Sequence, residues 1–131
     1  RSMKCCDSAF LMDLLRGLPA AVAKANEHRP DELVITPMAA HETLTGIFFR
    51  GSSPAKLDSA FRFLAGFKML HSDLASCVNS AQMSAALRKA GKEVGTVDLL
   101  IVGAMLSNDC DTIITRDTDF KRIKGITVET Y

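Results

Sequence analysis

The sequence predicts an α/β fold in which helices cover a parallel sheet. Short apolar runs typical of strands alternate along the chain with longer amphipathic runs typical of helices, and this alternation favours parallel strand pairing. A length of 131 residues suits one domain with a substantial core. Apolar residues make up 47% of the chain and charged residues 24%, with 4 prolines, which is a globular rather than a disordered composition. We therefore predict a single domain over residues 3–131 and interpret the two residues before Met3 as a cloning remnant.

The N-terminal part of the chain contains two predicted strands and three predicted helices. The first strand ends at Asp7, and the helix after it stops at Gly17, because glycine favours the conformation that ends helices. The second helix ends at Pro30. Pro37 suits the first position of the third helix, where a backbone N–H is not needed. The predicted strands are 3–7 and 33–36, and the predicted helices are 8–17, 18–30 and 37–50.

The C-terminal part follows a flexible joint at 51–54 and contains three predicted strands and three predicted helices. One helix begins with a Ser-Asp cap and ends in Lys and Arg, and both ends agree with the helix dipole. The next helix is apolar nearly all round, as a buried helix is, and Thr96 is its predicted N-cap. The predicted helices are 55–66, 72–92 and 95–108, with a helical turn at 119–123, and the predicted strands are 67–70, 111–117 and 126–131.

Charge and cysteine content exclude several classes of protein. The net charge is +1, so a nucleic-acid partner must be held by a local patch rather than by the field of the whole surface. The 4 cysteines show neither a CxxC spacing nor the density of a secreted disulfide scaffold, and we expect them to be reduced and structural. No apolar run reaches the ~20 residues of a membrane span, and no signal-peptide layout opens the chain, so we expect a cytoplasmic protein.

Four acids lie where the predicted elements meet at the carboxyl edge of the sheet. Asp7 ends the first strand, Asp117 follows the strand "TIIT", and Asp98 lies in the first turn of the buried helix. Glu42 lies about one and a half turns into the helix after the second strand. In a parallel sheet these positions converge on one crevice. Each acid also has an ordinary interpretation, as a helix cap (Asp7, Asp98), a surface residue (Glu42) or a turn former (Asp117).

The coincidence of four acids favours a cation site. Two carboxylates about 5 Å apart repel each other by roughly 3 kcal/mol at an effective dielectric constant near 20. Several such pairs would cancel much of the stability of a domain, so the acids stay apart, or some are protonated, or a cation neutralises them. An all-oxygen site without a Cys/His pair suits Mg²⁺ or Mn²⁺, and these ions favour phosphate chemistry.

These acids stand in four segments that together resemble the PIN (PilT N-terminus) nuclease domain, in particular the VapC-type toxins of toxin–antitoxin pairs. The segments, in this order and near this spacing, are "CCDSAFLMDLL", "ITPMAAHET", "VGTVDLLIVGAMLSND" and "TIITRDTDFKRIKGI". The resemblance runs from residue 4 to 129 and is weakest over 51–80. No single motif is specific, but their combination is.

The resemblance implies a three-layer α/β/α sandwich, dependence on Mg²⁺ or Mn²⁺, and endonucleolytic cleavage of RNA. It assigns four acids to the catalytic metal site: Asp7, Glu42, Asp98 and Asp117. Asp119 either binds metal through water or caps the short helix starting at Phe120, and the cap is favoured. Ser8 stands where the family has a small hydroxyl residue after the first Asp, a mild departure from Asp-Thr-Ser, and Thr115 is assigned a supporting place behind the acids.

Local cations near the last motif are the predicted substrate contacts. Arg116, Lys121 and Arg122 are candidates for binding RNA phosphates, although a charge run alone usually marks a solvated face. Three phenylalanines are predicted to be core rather than a platform for stacking bases: Phe61, Phe63 and Phe67.

The resemblance also implies a small antitoxin partner and a homodimer. The apolar helix faces around "FLMDLL" and "LTGIFF" are candidates for these contacts, with plain core as the equal alternative. Two other functions within the fold stay open, namely a free-standing RNA-processing nuclease and a non-catalytic RNA-binding or scaffold protein. A phosphoacceptor signalling domain is disfavoured, because "KCCDSA" offers one acid where such domains want a pair, and "TVETY" has no Lys.

Overall fold

The computed structural model of the chain describes residues 2–131, which form a parallel sheet with helices packed against it. The five strands are β1 (Lys4–Cys6), β2 (Leu33–Ile35), β3 (Lys68–Met69), β4 (Thr112–Ile114) and β5 (Thr127–Glu129). The six α-helices are α1 (Ser8–Leu15), α2 (Pro19–Ala25), α3 (Pro37–Arg50), α4 (Pro54–Ala65), α5 (Leu74–Lys89) and α6 (Thr96–Ser107). Two 3₁₀ turns, Pro30–Glu32 and Thr118–Arg122, precede β2 and follow β4.

The strand order β3-β2-β1-β4-β5 places β1 at the centre of the sheet, and every neighbouring pair is parallel. The three middle strands are almost completely buried, and their apolar side chains form the core with those of α1 and α6. Parallel strands are buried in this way because crossover helices cover the sheet. The predicted α/β/α sandwich with a central parallel sheet is therefore confirmed.

Capping residues explain where the helices begin and end. The Thr36 side chain accepts a hydrogen bond from the backbone N–H of Ala39, 3.2 Å away, and so caps α3. Gly51 ends α3 at a φ of +71°, a left-handed conformation that suits glycine. Asp73 and Ser76 form a reciprocal capping box at the start of α5. The predicted start of α3 is therefore confirmed, and so is the predicted Asp cap of α5, although the first helical residue of α5 is Leu74 rather than Ser72.

The predicted N-cap of α6 is wrong by one residue. Gly95 is the N-cap and Thr96 is already the first helical residue. No side chain caps this end of the helix, and Asp98 is the acid in its first turn. The extended backbone of Gly95, with ψ near 143°, makes the turn that a Thr cap was expected to make.

Two expectations about side-chain burial have different outcomes. Within residues 2–131 all four cysteines are free, and Cys77 is the exposed one, which agrees with reduced cysteines. Phe61 was predicted to be core but is half-exposed, with its ring 6.3 Å from that of Phe48. Phe63 and Phe67 do pack against the core, in an edge-to-face pair at 5.1 Å. In the described part of the chain, no helix has the length and apolar character that a membrane span requires.

Candidate active site

Asp7 lies at the carboxyl end of the central strand and carries the most buried carboxylate of the candidate site. The residue is 4% exposed, and its backbone N–H donates to the Ile114 carbonyl at 3.1 Å, which continues the pairing of β1 with β4. Its Oδ2 accepts a hydrogen bond from Thr115 Oγ1 at 2.9 Å. Its Oδ1 is buried and has no hydrogen-bond partner among the described residues. A buried carboxylate oxygen without a partner is costly unless another group satisfies it.

Thr115 connects Asp7 to the loop after β4. Its hydroxyl donates to Asp7 and accepts a hydrogen bond from the backbone N–H of Asp117 at 2.9 Å. The side chain is completely buried, so this bridge is shielded from water. Thr115 therefore fixes the positions of Asp7 and Asp117 relative to each other.

Asp117 also has a local structural role. Its Oδ1 accepts from the backbone N–H of Asp119 at 2.9 Å and so caps the 3₁₀ turn Thr118–Arg122. The favoured prediction, in which Asp119 caps a helix starting at Phe120, is therefore wrong, because the turn begins earlier and Asp117 is its cap. The alternative role of Asp119, as an outer acid near the metal, stays a prediction.

Glu42 lies on α3, in the position expected from the sequence, and is held by α1. Its Oε1 accepts a hydrogen bond from Ser8 Oγ at 3.1 Å. Ser8 is the first residue of α1, directly after Asp7. The hydroxyl that follows the first acid therefore orients the second acid.

Asp98 experiences the charges of the other acids. Burial, and then the negative charges of Asp7, Asp117, Glu42 and Asp119 in that order, raise the pKa of Asp98 to about 7. Burial also raises the pKa of Asp7 and outweighs the hydrogen bond from Thr115, which lowers it, while the charges of Glu42 and Asp117 make smaller contributions that raise it further. The fold therefore brings all five predicted acids into one electrostatic site.

The acids do not form a finished coordination shell. Across residues 2–131, no three Asp, Glu, His or Cys side chains converge tightly enough to hold an ion as they stand. The donors present are nonetheless all carboxylate oxygens, and one of them, Asp7 Oδ1, is buried and unpaired. This combination fits a hard divalent cation, which takes oxygen ligands and keeps several waters.

The three predicted phosphate-binding cations follow Thr115 in the sequence and differ in their contacts. Lys121 is exposed. Arg122 donates from Nη1 to the Glu93 carbonyl at 3.0 Å, and its Nη2 lies 3.9 Å from Asp119 Oδ1. Arg116 donates from Nε to Asp13 Oδ2 at 2.8 Å while 55% of its side chain stays exposed.

Asp13 is the prominent charged residue that the sequence analysis missed. Its side chain is 2% exposed and accepts hydrogen bonds from Arg16 (2.5 Å), Arg116 (2.8 Å) and Tyr131 (2.6 Å). Burial by itself would raise the pKa of Asp13, but these three donors outweigh it and lower the pKa to about 2. An acid inside the apolar run "FLMDLL" was the available signal, because buried acids are normally paired.

Replacing Asp13 with asparagine is expected to destabilise the protein at neutral pH and to flatten its acid unfolding. Because the pKa of Asp13 is lower in the folded than in the unfolded state, its stabilising contribution is present above pH 4 and is lost as the pH falls through 2. A shift from an unfolded value near 3.9 corresponds to about 2.5 kcal/mol. Urea unfolding at pH 7, 4 and 2 measures the effect, with Asp58→Asn, in an exposed pair with Arg62, as the control that changes little. Equal losses for Asp13→Asn at pH 7 and pH 2 would contradict this assignment.

A groove lies between α1, α3 and α4, away from the acids. It has a volume of about 490 Å³ and is lined by Met12, Leu15, Ile47, Arg50 and Lys56 among others. Phe48 and Phe49, on the adjoining turn of α3, are 58% and 89% exposed. Of the two predicted contact faces, "FLMDLL" is therefore largely core, and "LTGIFF" leaves two aromatic rings in water.

Comparisons with known proteins give one family match and several solved structures of similar fold. The model of the PIN domain matches residues 4–126. A structure of VapBC2 from Rickettsia felis bound to a promoter DNA fragment is similar with a TM-score of 0.85 at 16% identity, covering 98% of each chain. DNA-bound VapBC from Salmonella typhimurium gives 0.85 at 20% identity, covering 99% of this chain and 98% of that one. FitAcB from Neisseria gonorrhoeae gives 0.79 at 19% identity, covering 96% of each. No curated protein sequence matches this chain.

Proposed function

Because this chain belongs to the PIN domain family, we propose that it is a metal-dependent endoribonuclease and the toxin of a VapBC-type toxin–antitoxin pair. The family supports nuclease chemistry in general. Similar folds in complexes described as VapBC support the toxin role. Both the RNA substrate and the metal dependence belong to the proposal.

The observation that carries the proposal is the buried, unpaired oxygen of Asp7 inside a cluster of acids. Asp7 Oδ1 lacks a partner at the point where Glu42, Asp98 and Asp117 add further negative charge. A fold does not retain such an arrangement for stability, because both the burial and the repulsion oppose folding. A divalent cation removes both costs at once.

The residues of the proposed site have two roles, because some would bind the cation and others hold the acids in position. Asp7, Glu42, Asp98 and Asp117 would hold Mg²⁺ or Mn²⁺, with Asp119 as an outer acid. Thr115 occupies one oxygen of Asp7 and leaves the other free, and Ser8 orients Glu42. The ion, when bound, supplies a Lewis acid that favours attack of water on phosphorus and offsets charge on the leaving oxygen. Arg116, Lys121 and Arg122 would hold RNA phosphates beside the acids.

The proposal is tested by incubating purified, partner-free protein with a mixed RNA pool in Mg²⁺, in Mn²⁺ or in EDTA. We expect discrete RNA fragments with either metal and intact RNA with EDTA. A parallel preparation of Asp98→Asn excludes a contaminating ribonuclease, since it carries the same contaminants. Intact RNA under all conditions, from protein shown to be folded, would reject the nuclease and favour a non-catalytic RNA-binding or scaffold protein.

Adding Mg²⁺ or Mn²⁺ is expected to raise the melting temperature of the protein without any RNA. At a metal concentration ten times the dissociation constant, binding adds about 1.4 kcal/mol of stability. For a domain of this size that corresponds to a rise of about 5 °C. Differential scanning fluorimetry at constant ionic strength measures the rise, and Asp98→Asn is expected to show less of it. An equal rise in both proteins would place the binding elsewhere.

The groove between α1, α3 and α4 is the surface we propose for the antitoxin. The groove is lined by the basic residues Arg50 and Lys56 and adjoins the turn of α3 that carries the exposed rings of Phe48 and Phe49. This combination suits a segment with apolar and acidic side chains. Phe48 and Phe49 are too exposed to be explained as core. The predicted homodimer stays a prediction.

The antitoxin proposal is tested by co-expressing the chain with the product of the flanking small open reading frame. We expect a stable complex that inhibits RNA cleavage and that Phe49→Ser weakens. Leu18→Ser, which alters an exposed apolar residue outside the groove, is the matched control. Equal effects of both substitutions would place the antitoxin on another surface, and the lack of any such product beside the gene would favour a free-standing RNA-processing nuclease.

A further inference from the structure

The Asp13 carboxylate joins three parts of the chain that are distant in sequence. Arg116 lies 103 residues away, Tyr131 lies 118 residues away, and Arg16 is the C-cap of α1, the helix that carries Asp13. The Tyr131 ring also packs against that of Phe10, with 5.0 Å between the ring centroids. Asp13 therefore receives donors from α1, from the loop after β4 and from the residues after β5.

Arg116 is held in a way that leaves most of its charge accessible. Its hydrogen bond to Asp13 uses Nε, the atom nearest the backbone, while 55% of the side chain is exposed. Its backbone is fixed on both sides, because Thr115 is bonded to Asp7 and Asp117 caps the next turn. An arginine fixed at Nε presents the outer edge of its guanidinium in one orientation, and that edge is the one that matches a phosphate.

The separation between Asp7 and Asp13 along α1 indicates which substrate phosphate Arg116 would contact. Asp13 lies six residues after Asp7, and this separation is about 9 Å along a helix axis. The guanidinium is anchored at Asp13 and not at the acids. It is therefore suited to a phosphate next to the one that is cleaved.

We propose that Asp13 and Tyr131 are positioning residues that hold Arg116 for contact with a substrate phosphate adjacent to the cleaved one. This inference rests on the proposed ribonuclease function. The cluster carries two arginines and one acid, so it stays net positive while Asp13 orders it. Tyr131 acts through Asp13, because its hydroxyl donates to the same Oδ2 that accepts from Arg116.

The test is a double-mutant cycle in RNA binding. The background is Asp98→Asn in EDTA, so that RNA is not cut, and the probe is a fluorescein-labelled single-stranded 12-mer followed by anisotropy across a salt series. Arg116→Gln is expected to weaken binding by about tenfold. It should also reduce the slope of log K against log salt by about 0.7, the value for one single-strand phosphate contact. Asp13→Asn is expected to reproduce most of this loss and to add nothing in the Arg116→Gln background.

A merely structural role for Asp13 gives a different result. Losses of RNA affinity that add in the double variant would overturn the proposal. Unchanged or tighter RNA binding by Asp13→Asn would also overturn it, because the removal of a negative charge by itself favours RNA binding. The cycle Asp58→Asn with Arg62→Gln, on an exposed ion pair of α4, controls for general charge effects. In the cleaving protein, both Asp13→Asn and Arg116→Gln should raise KM and leave kcat nearly unchanged.

A second variant keeps the test decisive if Asp13→Asn does not fold. Tyr131→Phe keeps the ring and the Asp13–Arg116 pair and removes only the hydroxyl bond. A loss of RNA affinity in Tyr131→Phe that is absent in the Arg116→Gln background supports the proposal, and unchanged RNA affinity in Tyr131→Phe overturns it. Wild-type protein that neither binds nor cleaves RNA would overturn the ribonuclease function together with this inference. RNA cleavage by the wild type with additive losses would overturn this inference alone.

Discussion

Replacing Asp98 with asparagine is expected to abolish RNA cleavage and, in the absence of metal, to stabilise the protein. The two effects share one cause, because Asp98 carries a partly buried charge surrounded by the charges of Asp7, Asp117 and Glu42. A cation needs that charge. Without a cation the same charge opposes folding, so asparagine, which has nearly the same shape, relieves the repulsion.

Asp98→Asn is expected to lower the RNA cleavage rate much more than it changes the stability of the protein. Loss of about 4 kcal/mol of transition-state stabilisation lowers kcat by about a thousandfold or more. The gain in metal-free stability at pH 8 is about 1–2 kcal/mol, after allowing for the partial solvent exposure of Asp98. Because the pKa of Asp98 is raised to about 7 in the folded protein, the wild type should lose stability between pH 4 and 7, and Asp98→Asn should lose less.

Urea unfolding in EDTA at pH 4 and pH 8, together with the RNA cleavage assay, measures both effects in the same protein preparations. Asp109→Asn is the matched control, because Asp109 is an exposed acid just beyond the other end of α6. Reduced metal-free stability of Asp98→Asn at pH 8 would mean that the Asp98 charge makes a favourable contact rather than a repulsive one. Full cleavage activity would remove Asp98 from the catalytic site.

The convergence of the acids could be predicted because it depends on topology more than on side-chain detail. Asp7 and Asp117 directly follow the ends of strands, and a parallel sheet brings such ends to one edge whatever the loops do. Glu42 lies early in a helix whose cap and proline were legible in the sequence, and Asp98 lies in the first turn of a helix whose predicted start was wrong by only one residue. To predict that these acids converge, only the location of the crevice was needed, and the order of strands and helices along the chain determines that location.

Other features escaped prediction because they depend on partners far along the chain. Asp13 was visible as an acid in an apolar helix, but nothing local indicates that Arg116 and Tyr131 are its donors. Phe61 was predicted to be core and is nevertheless half-exposed, because the buried face of α4 is formed by Ala60 and Leu64. The ordinary interpretation of Asp117 as a turn former agrees with its bond to the Asp119 N–H, but the start of the 3₁₀ turn was not predicted, because aspartate makes this bond in turns of many kinds.

Replacing Gly103 with alanine is expected to be among the most destabilising single changes in the protein. Gly103 lies in the middle of α6, where α5 crosses it closely. A β-carbon at this position would lie 2.5 Å from the Ser76 carbonyl oxygen and 2.9 Å from Ser80 Cβ. The first of these contacts is with backbone, so the two helices must separate, at a cost of about 3 kcal/mol.

Gly46→Ala is the control that isolates packing from helix propensity. Gly46 is also inside a helix, and alanine gains up to about 1 kcal/mol of propensity at either position. At Gly46, however, the new β-carbon would meet the mobile end of Met12 at 3.0 Å, which can move aside. Urea unfolding should therefore separate the two variants by 3–4 kcal/mol.

Because Asp98 is on α6, the same separation of helices would move an acid away from the candidate site, so Gly103→Ala should lower metal affinity as well as stability. Normal metal binding by a destabilised Gly103→Ala protein would show that the first turn of α6 is held by the sheet and not by α5.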